Sequence, residues 1–151
     1  MINIFVSLQC FKTDKTMIQK GMKGRCSVVV TEDLTADKIG SGLVKVFATP
    51  MMVALMERTC SDSVAAELGE DECTVGILLE IKHTAATAVG MTVRCESELV
   101  EVDGRRLRFH VTAYDDAGEI GEGMHERFIV NRSRFETKTA QRALSSKAGT
   151  V

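Results

Sequence analysis

The sequence predicts an α+β fold in which a curved antiparallel sheet wraps one long buried helix. A short strand precedes this helix, the helix is apolar almost all round its first two turns, and four strand-like segments follow it. Consecutive strands joined by short turns form an antiparallel meander, and a sheet with one apolar face must cover that face. The central helix is the apolar element available, so the sheet is expected to curl round it.

The first predicted strand is CSVVVT at residues 26–31, which is rich in β-branched side chains. Residues 32–45 are turn-like. The helix is predicted to start with Thr49 as its N-cap and Pro50 at its first helical position. It is predicted to run to about Leu68, with Gly69 as the residue that follows its end.

The four later strands are predicted at residues 74–83, 91–102, 105–115 and 119–131. In the first of them, alternate residues from Val75 to His83 share one face, which is expected to look at the helix. The next two also carry one apolar face each, formed by Met91, Val93, Cys95 and Leu99 and by Leu107, Phe109, Val111 and Ala113. The last strand alternates less cleanly, and its glycines predict a bulge.

Composition argues against several classes of protein. The formal net charge is −2, and there is one tyrosine and no tryptophan, so nucleic acid is not an expected partner. The five cysteines lie at positions 10, 26, 60, 73 and 95, without a CxxC pair, which argues against a zinc site and a disulfide framework. The apolar start of the chain is too short to cross a bilayer. We therefore expect a soluble cytoplasmic protein that binds neither membrane nor metal.

Glu57 is the first candidate functional residue. On a helical wheel it lies on an apolar stripe with Val53, Cys60, Val64 and Leu68, and no basic side chain stands three or four residues away. An ionised carboxylate is costly to bury without a partner. The stripe could face solvent, Glu57 could pair with an arginine from elsewhere, or the carboxylate could have a chemical role.

His83 and Thr49 are the next candidates. A core histidine bonded to a backbone carbonyl is the common explanation for His83, but a pair with Glu57 would orient the ring for general-base chemistry. Capping alone explains Thr49, although a hydroxyl at a helix N-terminus also lies where negative charge is favoured. Eight helical residues separate Thr49 from Glu57 by about 12 Å. Direct contact between these two is therefore not expected.

Gly76 and Arg127 complete the candidates. Gly76 interrupts an apolar strand, which indicates a bulge or a close approach of a ligand to the backbone. Arg127 alternates with Phe128 along its strand, and the simplest interpretation is a solvated strand residue.

Four blocks in this order resemble the fluoroacetyl-CoA thioesterase family: VFATPMMVALMERTC, TVGILLEIKHTAAT, VDGRRLRFHVTAYD and EIGEGMHERFIV. The resemblance covers about residues 21–136 and implies a hotdog thioesterase domain there. Residues 1–20 would be an N-terminal extension or extra strand, and residues 137–151 a C-terminal tail. The family also implies a homodimer with acyl-CoA sites near the subunit interface, and the sequence leaves open whether two dimers pair into a tetramer.

The resemblance also implies roles for particular residues. Thr49, Glu57 and His83 match the family's catalytic residues, and Gly76 and Arg127 match its substrate contacts. The segment GSGLVK, at residues 40–45, replaces the aromatic lid of the fluoroacetyl-specific member. A general short-chain acyl-CoA thioesterase is therefore expected.

The expected reaction is hydrolysis of an acyl-CoA thioester to a carboxylate and free CoA, without a metal or other cofactor. His83 would be the general base, and Thr49, Glu57 or water would be the nucleophile. Two alternatives stay open: an acyl-CoA binding or sensing module without turnover, and a hydratase acting on enoyl-CoA.

Overall fold

The computed structural model describes residues 17–149, so residues 1–16 of the predicted N-terminal extension lie outside the described residues. The predicted α+β architecture is confirmed. The elements are β1 (Lys23–Val29), the one-turn helix α1 (Ala36–Ile39), the long helix α2 (Thr49–Val64), β2 (Glu72–His83), β3 (Thr92–Asp103), β4 (Arg106–Tyr114), β5 (Glu119–Asn131) and the helix α3 (Arg132–Ala148).

One antiparallel sheet contains the five strands in the order β1-β3-β4-β5-β2. Its inner face packs on α2, mainly through β1, β3 and β4. The apolar faces predicted for β3 and β4 are buried as expected, with Val93, Cys95, Leu99, Leu107, Phe109, Val111 and Ala113 in the core. Among the described strands, β1 and β2 form the two edges.

The face predicted for β2 is correct for Leu79, Ile81 and His83, which pair with the inner side of β5, and wrong for Val75, which pairs with Phe128 on the other side. Ile77 and Leu79 are 52% and 43% exposed, and only Ile81 of the expected set packs against the core. The register of β2 on β5 shifts between Gly76 and Leu78, so one extra residue interrupts the alternation of faces. Because β2 lies at the sheet edge, it also has little contact with α2. The bulge indicated by Gly76 is therefore present, and it changes which side chains face inward.

The boundaries predicted for the long helix are partly wrong. Ala48 is the N-cap and Thr49 is the first helical residue, with no side-chain bond that caps the helix. The α-helix ends at Val64 and continues as one 3₁₀ turn to Glu67. Gly69 has no positive φ, so it does not end the helix in the left-handed conformation. The Thr49 hydroxyl is thus available for another partner.

The bulge predicted in β5 lies at Ile120, where the register with β4 changes between Ala113 and Tyr114. Two glycines of β5 allow β2 to approach closely. A Cβ at Gly121 would lie 2.5 Å from the carbonyl oxygen of Lys82, and a Cβ at Gly123 would overlap the carbonyl oxygen of Glu80. Glycine at these two positions therefore leaves room for the edge strand to pair with β5.

Helix α3 leaves the end of β5 and includes most of residues 137–151, which were predicted as a tail. The Asn131 side chain accepts a hydrogen bond from the Arg134 amide at 3.0 Å, which caps the helix. The Arg132 amide donates to the Asp71 carbonyl at 2.8 Å. No residue within Arg132–Ala148 is buried. Among residues 17–149, no helix is long and apolar enough to cross a membrane.

A substitution at Gly24 would test the close contact between β1 and α2. A Cβ there would lie 2.6 Å from the Thr59 carbonyl oxygen and 2.7 Å from Ser97 Oγ. We expect Gly24→Ala to lower the free energy of unfolding by about 1–3 kcal/mol, because the strand must move away from the helix. Urea denaturation measures this loss.

Gly149→Ala is the matched control, since nothing lies within 4 Å of the added methyl group and Gly149 has a negative φ. Equal unfolding midpoints for Gly24→Ala and the native protein would contradict the close packing of β1 on α2.

Candidate active site

Glu57 pairs with an arginine from another element, which was one of the interpretations left open by the sequence. Glu57 Oε2 on α2 accepts a hydrogen bond from Arg127 Nη1 on β5 at 3.1 Å. The Glu57 side chain is 37% exposed, whereas the Arg127 side chain is 8% exposed. Arg127 is therefore a buried cation, and the interpretation of it as a solvated strand residue is wrong.

Thr74 on β2 holds the Arg127 guanidinium from two sides. Arg127 Nε donates to Thr74 Oγ1 and Arg127 Nη2 donates to the Thr74 carbonyl, both at 2.8 Å. Two parallel bonds from a planar guanidinium fix its plane as well as its position. The charge that faces Glu57 is therefore held rigidly by the neighbouring strand.

His125 is a site residue that sequence reasoning missed. It is fully buried, and its Nδ1 lies 2.8 Å from the Leu78 carbonyl oxygen. A carbonyl oxygen only accepts, so Nδ1 carries the proton. Burial lowers the pKa of His125, so its ring is neutral and Nε2 accepts a bond from Arg127 Nη1 at 3.1 Å.

The signal for His125 was present in the sequence. His125 and Arg127 stand two residues apart on one strand, so they share a face. The glycines and the uneven alternation of β5 hid this face. A histidine and an arginine on one side of a core strand, opposite a lone helical carboxylate, indicate a buried polar cluster.

Position 76 must be glycine because two side chains of this protein approach its backbone closely. A Cβ at Gly76 would lie 2.7 Å from Glu57 Oε2 and 3.2 Å from His125 Cε1. The predicted close approach to the Gly76 backbone is thus made by the Glu57 carboxylate. Glu57, Arg127, Thr74, His125 and Gly76 form one group, here called the carboxylate cluster.

Thr49 and His83 form a second group, the hydroxyl–imidazole pair. Thr49 Oγ1 lies 2.7 Å from His83 Nδ1. Burial lowers the pKa of His83, which keeps the imidazole neutral near pH 7 and able to accept the hydroxyl proton. His83 Nε2 is buried and has no hydrogen-bond partner among residues 17–149. Buried polar atoms normally have a hydrogen-bond partner, so this ring nitrogen is an exception that requires an explanation.

The pair lines a pocket of about 360 Å³ at the start of α2. Its other walls come from the GSGLVK segment, through Ser41, Gly42 and Val44, and from residues 84–86 after β2. The segment before α2 is held in place by the loop after β2. The Phe47 amide donates to the Thr87 carbonyl at 2.9 Å, and the buried Thr87 hydroxyl donates to Asp115 at 2.8 Å.

The predicted pair of Glu57 and His83 does not form within one protomer. Glu57 lies against Gly76, and His83 stands seven positions further along β2, which is about 23 Å along a strand. The five predicted residues are therefore divided between the two groups. Glu57, Gly76 and Arg127 belong to the carboxylate cluster, and Thr49 and His83 to the hydroxyl–imidazole pair.

Comparisons with known proteins agree with this architecture. The sequence model of a family described as fluoroacetyl-CoA-specific thioesterase matches residues 30–133. A fluoroacetyl-CoA thioesterase from Streptantibioticus cattleyicolor is 43% identical over 98 residues, which are 65% of this chain and 70% of that protein.

Two solved structures have a similar fold. A structure of the fluoroacetyl-CoA thioesterase FlK has a TM-score of 0.79 at 35% identity and covers 82% of this chain and 96% of that one. A hypothetical protein from Thermus thermophilus, described as a thioesterase superfamily member, has a TM-score of 0.80 at 29% identity, with 88% and 98% of the two chains covered.

A single helix enclosed by a curled antiparallel sheet, shared with these structures, defines a hotdog-fold protein of the thioesterase type. Within that class, the chain belongs to the fluoroacetyl-CoA-specific thioesterase family, which confirms the resemblance noted in the sequence.

The bond from Arg127 to Thr74 Oγ1 is open to a direct test. We expect Thr74→Val to lower the free energy of unfolding by about 1–3 kcal/mol, because a buried guanidinium donor loses its acceptor while the side-chain volume changes little. Thr74→Ser keeps the hydroxyl and is expected to lose less. Equal losses for valine and serine in chemical denaturation would show that the hydroxyl bond is unimportant.

The buried imidazoles predict how stability depends on pH. The pKa values of His83 and His125 are lowered from the ordinary 6.5 by burial, so below about pH 6.5 the unfolded chain binds more protons than the folded one. The contribution of these two histidines to the free energy of unfolding is therefore expected in full above this pH. It is expected to decrease as the pH falls towards the pKa values of the folded protein. Denaturant midpoints at about pH 7.5 and 5.5 measure the difference.

His125→Gln is expected to flatten this dependence, because one of the two buried imidazoles is gone. The same change at His110, which is exposed on the outer face, is the control. A pH dependence that is as steep in His125→Gln as in the native protein would contradict the assignment of His125.

Proposed function

We propose that this protein hydrolyses a short-chain acyl-CoA thioester to a carboxylate and free CoA. The observation that carries the proposal is the hydrogen bond between Thr49 Oγ1 and His83 Nδ1 at 2.7 Å, with the ring held neutral by burial. A hydroxyl in contact with a neutral imidazole is the arrangement that activates a nucleophile. Membership of the thioesterase family supports the substrate class.

His83 acts as the general base and then as the general acid. As the oxygen nucleophile attacks the thioester carbonyl, Nδ1 accepts its proton, and the imidazolium then protonates the departing CoA thiolate. The nucleophile is either Thr49 Oγ1, which would form an acyl-enzyme that water hydrolyses, or a water molecule in contact with the pair. Thr49→Ser would preserve either route, whereas only the first leaves an acyl group on the protein that mass spectrometry detects.

Glu57 serves the imidazole of a second subunit. His83 Nε2 carries the proton when Nδ1 accepts from Thr49, and within residues 17–149 it makes no well-formed hydrogen bond, although the nearby Ala85 backbone raises the pKa against the larger effect of burial. A carboxylate on the far nitrogen fixes the ring and stabilises the imidazolium. Glu57 is partly exposed and held by Arg127, so its free lone pairs are available to a partner.

The edge strand β2 supplies the interface for this homodimer. Ile77, Leu78 and Leu79 are 52%, 37% and 43% exposed on a strand with one unpaired side. Such an apolar edge pairs readily with another strand, and a two-fold axis makes the same strand of a second copy its partner. Antiparallel pairing of the two copies of β2 brings the end of the partner's strand, which carries His83, towards the start of this strand, where Gly76 lies against Glu57.

The remaining predicted residues take supporting roles. The Gly76 amide, on the edge strand, would donate to the thioester oxygen where negative charge develops. Arg127 directs its donors at Thr74, His125 and Glu57, so we assign it to holding Glu57 rather than to binding a CoA phosphate. The reaction needs only water and these side chains, so we propose no metal or cofactor. Four unpaired thiols among the described residues are consistent with a cytoplasmic location.

The GSGLVK segment does not supply an aromatic lid, which supports a general short-chain acyl-CoA thioesterase rather than a fluoroacetyl-selective one. Its Leu43 and Val44 side chains are exposed beside the pocket of the hydroxyl–imidazole pair, and no aromatic side chain stands in residues 40–45. A screen of thiol release from short, branched, aromatic and halogenated acyl-CoAs would identify the acyl group. Absence of thiol release from the whole panel would contradict hydrolysis.

Glu57→Gln and His83→Ala are expected to lower kcat/KM at least about 100-fold, because each removes part of the proton-transfer machinery. His110→Ala is the control, since His110 lies on the outer face near Glu122. The proposal is wrong if both variants keep native turnover across the acyl-CoA panel.

A mixing experiment tests whether the site is shared between subunits. Each variant alone, Glu57→Gln or His83→Ala, is inactive in both sites of its dimer. In a mixed dimer one site combines both defects, and the other site combines native Glu57 with native His83. Unfolding and refolding an equal mixture should therefore restore about a quarter of native activity, since about half of the dimers are mixed. A mixture that stays inactive places the complete site within one protomer.

A further inference from the structure

Coenzyme A carries a phosphorylated nucleotide, and the carboxylate cluster offers no free cation to bind it. Arg127 is 7% exposed, and its guanidinium donates to Thr74, Glu57 and His125. The chain has a formal net charge of −2, so an anionic ligand requires a local concentration of positive charge. This inference rests on the proposed function, which makes CoA part of the substrate.

Such a concentration exists beside α3. A groove of about 420 Å³ runs between the start of α3 and the end of β5, and it is here called the α3 groove. Its wall carries the cations Arg105, Arg134 and Lys138 and the aromatic rings of Phe128 and Phe135, which are 38% and 45% exposed. This volume lies in the range of small-ligand sites.

The α3 groove is held in a defined shape. Asn131 caps α3 through the Arg134 amide, and Asp71 binds the start of the helix through the Arg132 amide and the Ser133 hydroxyl. Arg105 Nη1 donates to the Ile129 carbonyl at 3.3 Å, which fixes the opposite wall.

The charge of the groove is mostly uncompensated. Glu72 lies 3.9 Å from Arg105 Nη2, and it is the one carboxylate that forms an ion pair with a lining cation within residues 17–149. The α3 helix as a whole carries five cations and one carboxylate: Arg132, Arg134, Lys138, Arg142 and Lys147 against Glu136.

We propose that the α3 groove binds the 3′-phosphorylated nucleotide end of coenzyme A. Arginine and lysine bind phosphate through charge-assisted hydrogen bonds, and an exposed aromatic ring accepts a stacked base. Both features occur together here at the scale of one nucleotide. Phe128 and Arg127 are neighbours on β5 that face opposite sides of the sheet, so the pantetheine arm would have to pass round the Glu72–Thr74 end of the edge strand to reach the carboxylate cluster.

Calorimetric titration with free CoA and with pantetheine tests the inference without turnover. The double variant Arg134→Ala and Lys138→Ala is expected to bind CoA about tenfold more weakly or worse, with the affinity for pantetheine unchanged. The matched control is Arg142→Ala with Lys147→Ala, which removes the same charge from α3 outside the groove and should stay within about twofold of native. 3′-Dephospho-CoA should bind the native protein more weakly than CoA.

Two outcomes overturn the inference: both double variants weaken CoA binding equally, or the groove variant binds CoA as the native protein does. If light scattering also shows a changed assembly in the second case, the groove is a contact between copies. Both substituted positions are exposed, and circular dichroism confirms that the variants are folded; Lys138→Glu is a second variant with the same expected direction.

Failure of the proposed hydrolysis gives a different pattern. If no acyl-CoA releases thiol but CoA binding still depends on Arg134 and Lys138, the groove assignment stands and the catalytic one fails. If hydrolysis occurs, the groove variant should raise KM for the acyl-CoA and leave the turnover of an S-acyl-N-acetylcysteamine, which has no nucleotide, unchanged.

Discussion

The buried guanidinium of Arg127 is the interaction on which the candidate site depends. It connects three elements of the fold, because it donates to Thr74 on β2, to Glu57 on α2 and to its neighbour His125 on β5. A buried charge without partners is costly, so removing any of these acceptors would leave an unsatisfied donor. The same contacts also fix the Glu57 carboxylate beside the edge of the sheet.

The edge strand β2 has two kinds of environment along its length. Near its start, glycine at position 76 lets Glu57 and His125 approach the backbone closely. At its end, His83 contacts Thr49 at the start of α2. Between them lie the three exposed apolar side chains from Ile77 to Leu79. In the proposed homodimer, covering these side chains would also join the two halves of the proposed site.

The sequence predicted the architecture well because hydrophobic periodicity is a local property. The apolar faces of β3 and β4 alternate cleanly, and the structure buries them. The face of β2 was wrong at Val75 because a single extra residue after Gly76 reverses the alternation, and the sequence marked the glycine but not the direction of the shift. Thr49 was assigned to the helix cap because capping is the commonest role of a threonine before proline. Its actual partner, His83, is 34 residues away along the chain.

The amino-acid sequence by itself determined the fold class, the family and the five candidate residues, since these follow from periodicity and from motifs that are continuous along the chain. The tertiary structure decided how those residues are grouped. Glu57 pairs with Arg127 and lies near His125, whereas His83 pairs with Thr49 at the other end of β2. The reason is physical: hydrogen bonds between side chains on different elements depend on strand register and on bulges, which residues distant in sequence establish together.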